Sequence, residues 1–216
     1  MAVTLYISNM HLLDYSDYYE RAYQSASSQR KGKIDHFYYI DDKKRALMAE
    51  LLLREALIDR GIKETEIKYE FSKNGKPYLK NFNYIHFNIA HSGDFVILAV
   101  SDKEIGCDIE RIRDLDIQIA ERFFTNNECK RISVADSIEE RQRLFISYWT
   151  LKESYLKYTG EGLKQPLNSF DIDVIKEELV FKEFDIIPGY HISLCMEDKE
   201  SEIRIINISN LFPGKD

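Results

Sequence analysis

The stretch YWTLKESYLKYTG, residues 148–160, predicts the long helix on which the second half of the chain is organised. At 100° per residue, one stripe of this helix consists of Phe145, Trp149, Lys152 and Leu156. Glu153 falls only about 40° from Trp149 on the helical wheel, at the edge of that apolar stripe. Burying an unpaired carboxylate there would cost about a few kcal/mol of desolvation free energy, or the group would take up a proton. We therefore expect a cation close to Glu153.

Helix-like and strand-like segments alternate along the rest of the chain. Periodicity and turn signals predict helices at 17–26, 42–60, 116–122, 128–132 and 138–158. They predict strands at 3–8, 67–71, 86–89, 95–100, 105–111, 170–174, 179–184, 190–196 and 202–208. Short turns rather than helices join most strands, which favours an α+β fold over a doubly wound parallel sheet.

Two halves of the chain share one pattern, a long helix followed by antiparallel strands. We predict that residues 1–104 and 105–216 form two similar α+β halves related by a pseudo-two-fold axis. No linker rich in Gly, Pro or Ser separates them, so we expect the halves to be packed together as one unit.

Composition narrows the class of protein. The chain has 216 residues, of which 44% are hydrophobic and 12% aromatic, as in a globular protein with a sizeable core. A net charge of −7 makes nucleic acid an unexpected partner. Three separated cysteines indicate neither a zinc site nor a disulfide framework, and no signal peptide or membrane-spanning segment is evident. We therefore expect a cytoplasmic protein.

Two carboxylates stand out in GCDIERI, residues 106–112. On a strand, Asp108 and Glu110 point to the same face, about 7 Å apart, while Cys107 points to the other. Carboxylates this close either lie in water or share a cation, and oxygen ligands favour Mg²⁺ where phosphates complete its shell. Glu153 could be a third ligand. A solvated strand face and an intrahelical Glu153–Lys157 pair are the simpler alternatives.

Basic residues gather in the first half of the chain. One cluster contains Arg30, Lys31 and Lys33, and another, Lys43, Lys44 and Arg45, opens a predicted helix. Lys76 lies in NGKPY, and His91 lies in FNIAHSG. Cations at a helix start can hold an anion, although solvated surface lysines and a structural histidine explain the same residues.

Together these motifs resemble a known family. GCDIE, FFTNNE and WTLKESYLK, in this order and spacing, are similar to the signature of the phosphopantetheinyl transferases, and NGKPY and FNIAHSG also look like that family. The resemblance is to the longer, surfactin-synthetase-activating type, in which two similar halves lie in one chain. It runs from about residue 30 to about residue 170.

The resemblance implies a set of roles. The magnesium ligands would be Asp108, Glu110 and Glu153, and Glu128 would be a candidate base beside Glu153. Lys157 would contact the phosphates of coenzyme A, helped by Lys152 or His91. The other coenzyme-binding positions would be Arg30, Lys33, Arg45, Gly75, Lys76 and Pro77. Ala90 departs from the serine common in the family just before the histidine.

The implied activity is Mg²⁺-dependent transfer of the 4′-phosphopantetheine arm from coenzyme A to a serine of an apo acyl- or peptidyl-carrier protein, releasing 3′,5′-ADP. Two halves in one chain imply a monomer. The alternatives are a non-catalytic adaptor that binds coenzyme A or a carrier protein, and another Mg²⁺-dependent phosphate-transfer enzyme. No GxxxxGK[ST] loop and no GxSxG element occurs, which disfavours a P-loop enzyme and a serine hydrolase.

Overall fold

The computed structural model describes residues 2–15, 17–63, 66–113, 119–162 and 165–210. The α-helices of this part of the chain are α1 Tyr18–Ser25, α2 Ser28–His36, α3 Ile40–Ile58, α4 Ala120–Phe123, α5 Asn126–Ser133, α6 Ile138–Thr159 and α7 Ile172–Glu178. Its strands are β1 Ala2–Asn9, β2 Tyr69–Phe71, β3 Pro77–Leu79, β4 His86–Ser92, β5 Phe95–Ser101, β6 Gly106–Arg111, β7 Val180–Phe184, β8 Tyr190–Met196 and β9 Glu202–Ile208.

The first sheet has the strand order β4-β5-β1-β9. Strands β4 and β5 form an antiparallel hairpin, β5 pairs with β1 antiparallel, and β9 pairs with β1 in parallel, with Leu5 opposite Ile205. Helix α3 covers one face of this sheet, where Leu52 and Leu57 pack against Leu98 in the first hydrophobic core. Strand β9 therefore completes the sheet to which β1 belongs.

The second sheet has the order β6-β8-β7, and helix α6 packs on β6 and β8. Its inner face contributes Cys107, Ile109 and Ile192 to a core shared with Val3 and Leu5 of the first sheet. The two long helices thus flank two sheets that pack against each other. Because β6 alternates faces, burying Cys107 and Ile109 turns its other side chains toward α6.

Strands β4 and β6 lie side by side where the two sheets meet. Two side chains of β4 accept hydrogen bonds from the backbone of β6: Asn88 Oδ1 from Cys107 N at 3.0 Å, and Ser92 Oγ from Arg111 N at 3.1 Å. The two bonds share one sequence offset, so the strands run in the same direction. We call this line of side-chain bonds the seam.

Gly106 begins β6 at the point where α6 crosses it. A Cβ atom built on Gly106 would lie 1.9 Å from the Ser154 carbonyl oxygen and 2.6 Å from the Tyr158 amide nitrogen. Both are backbone atoms of α6, so no side-chain movement would relieve the clash. The absence of a side chain lets the helix lie directly on the strand.

The predicted α+β class is confirmed, with a long helix packed on a sheet in each half. The division at residues 104 and 105 stays a prediction, and β9 belongs to the first sheet. The strand predicted at 170–174 is wrong, because Asp171 caps a helix by accepting a hydrogen bond from Asp173 N at 3.0 Å. Helix α2, capped by Ser27, was not predicted. The start of the helix predicted at 116–122 lies outside the described residues, and α4 is its described part.

His191 of β8 lies between two carboxylates. Its Nδ1 atom is 2.7 Å from Asp185 Oδ1, and its Nε2 atom is 3.1 Å from Glu183 Oε2. Glu183 also accepts a hydrogen bond from Ser147 of α6 at 2.6 Å, and Arg143 of α6 reaches Asp185 at 2.6 Å. This cluster ties the β7–β8 hairpin to α6.

The carboxylates set the protonation of His191. Burial alone would lower its pKa, but the hydrogen bonds to Glu183 and Asp185 outweigh burial and raise the pKa above its ordinary value. For Glu183, burial alone would raise the pKa, but the hydrogen bonds from His191 and Ser147 lower it to about 2. The histidine is therefore favoured in its charged form.

Among the helices described, none combines the length and apolar character needed to cross a membrane.

We expect the substitution Gly106→Ala to lower the free energy of unfolding by about 3 kcal/mol, because its methyl group would have to push α6 off β6. Urea unfolding followed by circular dichroism measures this. Gly32→Ala is the matched control, since a Cβ there meets nothing within 4 Å. Inside helix α2, that change should raise stability by about 0.5–1 kcal/mol. Equal effects of the two substitutions would contradict the close approach at Gly106.

The His191 cluster predicts a pH dependence of stability. The folded pKa of His191 lies above 6.5, so its contribution is present below that pH and is lost as the pH rises through the raised value. The Glu183 contribution is present above pH 4.5 and is lost as the pH falls toward about 2. Between about pH 6 and about pH 9, the wild type should lose about 1 kcal/mol more than His191→Gln. Urea unfolding of both proteins at the two pH values measures this, and equal losses in the two proteins would contradict it.

Candidate active site

A cavity of about 390 Å³ opens between α2, α3 and β4. Its floor is apolar, formed by Ala46, Ala49, Leu53, Phe87 and Ile89, with Tyr69 and Phe71 at the side. Six residues predicted to bind coenzyme A line it, namely Arg30, Lys33, Arg45, Gly75, Pro77 and His91. An apolar floor with a cationic rim suits a flat heterocycle that carries phosphate groups.

Three cations of this rim are held by local contacts. Arg30 Nε is 2.8 Å from Glu50 Oε2, and the Lys33 ammonium lies 4.5 Å from the centre of the Phe71 ring. Arg45 reaches Asp42 at 2.6 Å and donates to the Gly93 carbonyl oxygen at 2.9 Å. These contacts fix the positions of the three cations at the rim, and a guanidinium has five N–H donors and an ammonium three.

His91 lies on the cavity wall at the end of β4. Desolvation in the cavity and the neighbouring charges of Arg45 and Lys157 lower the pKa of His91. The ring is therefore neutral at pH 7 and presents one N–H donor and one acceptor. The interaction with Lys157 also shows that this end of the cavity adjoins α6.

The carboxylates of β6 and α6 meet next to the cavity. Asp108 is 5% exposed, and its Oδ1 atom accepts a hydrogen bond from Lys157 Nζ at 2.6 Å. Glu110 Oε2 accepts one from the Ser92 hydroxyl at 2.6 Å. The cation expected near Glu153 is Lys157, which bonds to Asp108 across the helix–strand contact and acts on Glu153 through its charge.

The three carboxylates repel one another. Burial, opposed by Lys157 and reinforced by the charges of Glu110 and Glu153, raises the pKa of Asp108 to about 7. Burial also raises the pKa of Glu153, with Lys157 lowering it and Glu110 raising it. Burial alone would lower the pKa of Lys157, but the charge of Asp108 outweighs burial and raises it. The three carboxylates therefore carry more formal negative charge than Lys157 neutralises.

This donor set fits a divalent cation. Asp108 Oδ2 is buried and has no hydrogen-bond partner among the described residues, so one oxygen remains available for a ligand. With Lys157 supplying one positive charge against three carboxylates, two formal negative charges remain. Within the residues that the structure describes, the three side chains do not converge into a preformed metal-binding group. Binding a metal would therefore require part of this set to move inward.

Lys76, also predicted to bind coenzyme A, does not line this cavity. Its ammonium is 2.7 Å from Glu104 Oε2 and donates to the Tyr158 carbonyl oxygen at 3.4 Å. The neighbouring Asn74 side chain donates to the Gly160 carbonyl oxygen at 3.0 Å. In this conformation, the turn before β3 anchors the carboxyl end of α6 to the first half of the chain.

Glu128 and Lys152 form a buried ion pair away from the carboxylates. Both side chains are 0% exposed, and Lys152 Nζ is 2.8 Å from Glu128 Oε2. Lys152 also donates to the carbonyl oxygens of Leu167 at 2.8 Å and Phe170 at 2.6 Å, which satisfies the three donors of an ammonium.

The carboxylate oxygens of Glu128 also have hydrogen-bond partners. Its oxygens accept hydrogen bonds from Ile172 N at 2.9 Å and Thr125 N at 2.8 Å. The pair therefore joins α5, α6 and the segment before α7, and neither side chain has a free group that faces the cavity. This geometry does not support the predicted roles of Glu128 as a base and Lys152 as a coenzyme ligand.

Sequence reasoning missed some residues of the site. Tyr69 and Phe71 line the cavity. Their alternating positions predict a strand, but nothing in that pattern indicates a cavity wall. Ser92 follows His91 directly and is predicted only as part of a turn, although its hydroxyl contacts Glu110. Its partner lies 18 residues away, and no local pattern reveals such a contact.

Comparison with known protein families covers nearly the whole chain. Residues 15–103 match a family model described as "4′-phosphopantetheinyl transferase, N-terminal". Residues 104–204 match one described as "4′-phosphopantetheinyl transferase superfamily". The two models thus cover the residues of the cavity and the carboxylates, respectively.

Curated relatives of this chain indicate the same family. The 4′-phosphopantetheinyl transferase Sfp of Bacillus subtilis (strain 168) is 30% identical over 189 residues, covering 82% of this chain and 84% of Sfp. The 4′-phosphopantetheinyl transferase gsp of Aneurinibacillus migulanus is 37% identical over 184 residues, covering 79% and 76%. The L-aminoadipate-semialdehyde dehydrogenase-phosphopantetheinyl transferase of Xenopus laevis is 30% identical over 161 residues, covering 68% and 53%. This chain therefore belongs to the 4′-phosphopantetheinyl transferase family and is a transferase of the two-halved, Sfp-like type.

Proposed function

We propose that this enzyme transfers the 4′-phosphopantetheine arm of coenzyme A to a serine of an apo acyl- or peptidyl-carrier protein. The reaction would depend on Mg²⁺ and would release 3′,5′-ADP. The family acts on carrier proteins with coenzyme A as co-substrate. The observation that carries the finer proposal is the position of three mutually repelling carboxylates and one lysine beside the cation-rimmed cavity.

The cavity is proposed to hold the adenosine end of coenzyme A. Its apolar floor would cover the adenine, and the guanidinium groups of Arg30 and Arg45 would contact phosphate oxygens. Neutral His91 would donate a hydrogen bond to the 3′-phosphate, a contact that does not require the imidazolium form. Lys157 lies between this cavity and Asp108, where its ammonium can contact the diphosphate.

Asp108, Glu110 and Glu153 are the residues that would hold Mg²⁺, with Asp108 Oδ2 the available oxygen. When bound, the ion would neutralise negative charge on the diphosphate. The raised pKa values of Asp108 and Glu153 fit this role, because a cation would favour their ionised forms.

In the transfer, the serine oxygen forms a bond to the phosphorus that bears the pantetheine arm. The bond from that phosphorus to the bridging oxygen breaks, and 3′,5′-ADP leaves with its electron pair. The serine proton passes to a base within hydrogen-bond reach, and the raised pKa of Glu153 suits that task as well as metal binding. The complete burial of Glu128 argues against that residue as the acceptor.

We also propose that the enzyme acts as a monomer in the cytoplasm. One chain supplies both the coenzyme cavity and the carboxylates, so a second copy is not needed to complete the site. The three cysteines are free, as expected in a reducing compartment.

The decisive experiment incubates the protein with Mg²⁺, coenzyme A and an apo carrier protein and follows the carrier by mass spectrometry. We expect the carrier to gain one phosphopantetheine arm, and Glu153→Gln to reduce the rate by about 10³-fold or more because a charge at the reacting centre is lost. Chelation of divalent cations should have a similar effect.

Glu139→Gln, at an exposed position in the first turn of the same helix, is the matched control and should keep wild-type activity. Binding of coenzyme A without any transfer would instead support a non-catalytic adaptor. Wild-type turnover by Glu153→Gln would remove Glu153 from the mechanism.

The buried pair allows a separate prediction. Lys152→Met should lower the free energy of unfolding by about 3–5 kcal/mol, because Glu128 would be left charged and unpaired in the core. Lys152→Met combined with Glu128→Gln should recover part of this loss. Chemical denaturation measures stability, and titration with coenzyme A measures affinity. A Lys152→Met protein of wild-type stability that binds coenzyme A weakly would restore the coenzyme-binding role.

A further inference from the structure

Ser92 links the two parts of the site. It is the last residue of β4, and its hydroxyl donates a hydrogen bond to Glu110 Oε2 at 2.6 Å. The Ser92 hydroxyl oxygen accepts a hydrogen bond from Arg111 N at 3.1 Å. One hydroxyl therefore contacts both a carboxylate of the candidate metal site and the backbone beside it.

The turn that carries Ser92 is held tightly. The next residue, Gly93, has φ +52°, and a Cβ there would lie 2.4 Å from the Tyr190 hydroxyl oxygen. That hydroxyl accepts a hydrogen bond from Asp94 N at 3.2 Å, and the Gly93 carbonyl oxygen accepts one from Arg45. Because β8, β5 and α3 all fix this turn, the Ser92 hydroxyl is preorganised rather than freely rotating on a mobile loop.

We propose that Ser92 is a positioning residue that orients Glu110 for the divalent cation, an inference that rests on the proposed function. Its hydrogen bond engages Oε2 and restrains the side-chain torsions of Glu110, and Ser92 leaves Oε1 unengaged. Since Ser92 follows His91 directly, the chain segment that contacts the coenzyme cavity also orients a metal-binding carboxylate.

Asn88 provides a contrast within the seam. Its Oδ1 atom accepts a hydrogen bond from Cys107 N at 3.0 Å, as the Ser92 hydroxyl does from Arg111 N. Asn88 makes this bond to the backbone of β6 without contacting a carboxylate of the site. Loss of the Asn88 side chain should therefore weaken the seam and leave the orientation of Glu110 intact.

The test measures Mn²⁺ binding by isothermal titration calorimetry, with Mn²⁺ as the probe for the divalent site. Ser92→Thr and Ser92→Val have nearly the same shape and differ in the hydroxyl. We expect Ser92→Val to raise the Kd for Mn²⁺ about 10-fold, and Ser92→Thr to stay close to the wild type. Asn88→Ala should lower the melting temperature without a comparable change in the Kd. At saturating Mn²⁺, Ser92→Val should regain most of its transferase activity.

A double-mutant cycle isolates the path through Glu110. In a Glu110→Ala background, Ser92→Val should have no further effect on the Kd, because the group that Ser92 orients is gone. The alternative is that Ser92→Val binds Mn²⁺ poorly because the variant is misfolded. In that case, adding Ser92→Val to Glu110→Ala will still raise the Kd for Mn²⁺. That result would overturn the proposal, as would equal increases in Kd for Ser92→Val and Asn88→Ala.

Failure of the positioning role can be distinguished from failure of the proposed function. Wild-type protein that binds Mn²⁺, together with a Ser92→Val variant of unchanged Kd, would overturn the role of Ser92 alone. Wild-type protein that binds no Mn²⁺ would overturn the metal site and the role of Ser92 with it.

Discussion

The contact between the start of β6 and the middle of α6 determines the geometry of the site. Gly106 has no side chain, so the backbone of the strand approaches the backbone of the helix around Ser154 and Tyr158. Glu153 and Lys157 lie on the helix beside this contact, and Asp108 lies two residues along the strand. A larger separation would put the 2.6 Å contact between Lys157 and Asp108 out of reach. The site therefore depends on an interaction that only glycine permits.

The site is divided between the two halves of the chain. The cavity belongs to α2, α3 and the strands that follow them, whereas the carboxylates belong to β6 and α6. The seam brings the two parts together with side chains of Asn88 and Ser92 in place of part of a backbone ladder. The side chains of Asn88 and Ser92 thus accept hydrogen bonds from backbone N–H groups at the edge of β6. The Ser92 hydroxyl can also donate a hydrogen bond to Glu110, which a backbone carbonyl cannot do.

Much of the fold followed from sequence periodicity, because long elements repeat their pattern many times. Helix α6 and strand β8 were predicted nearly to their ends. The short alternation in FDIDV wrongly predicted a strand at 170–174. The Asp171 side chain caps a helix there, and the Lys152–Glu128 pair holds the backbone of Phe170 and Ile172. These contacts outweigh a five-residue pattern. Local propensity cannot register such tertiary contacts.

Only part of the candidate site could be predicted from the sequence. The shared face of Asp108 and Glu110 follows from strand alternation alone. Their partners do not, because Lys157 is 49 residues from Asp108 in the chain. Lys152 looked like a ligand on an apolar stripe, but its partner Glu128 lies on a different helix. Neither the ion pair of Lys152 nor the identity of its partner follows from the helical wheel, and both required the tertiary structure.

The parallel pairing of β9 with β1 has a consequence for how the chain can mature. The edge of β1 that β9 covers stays unpaired until residues 202–208 have left the ribosome. The first sheet cannot close before then, and a truncated chain ending before residue 202 would expose a long apolar strand edge prone to aggregation. Completion of this sheet is thereby postponed until both halves have been synthesised.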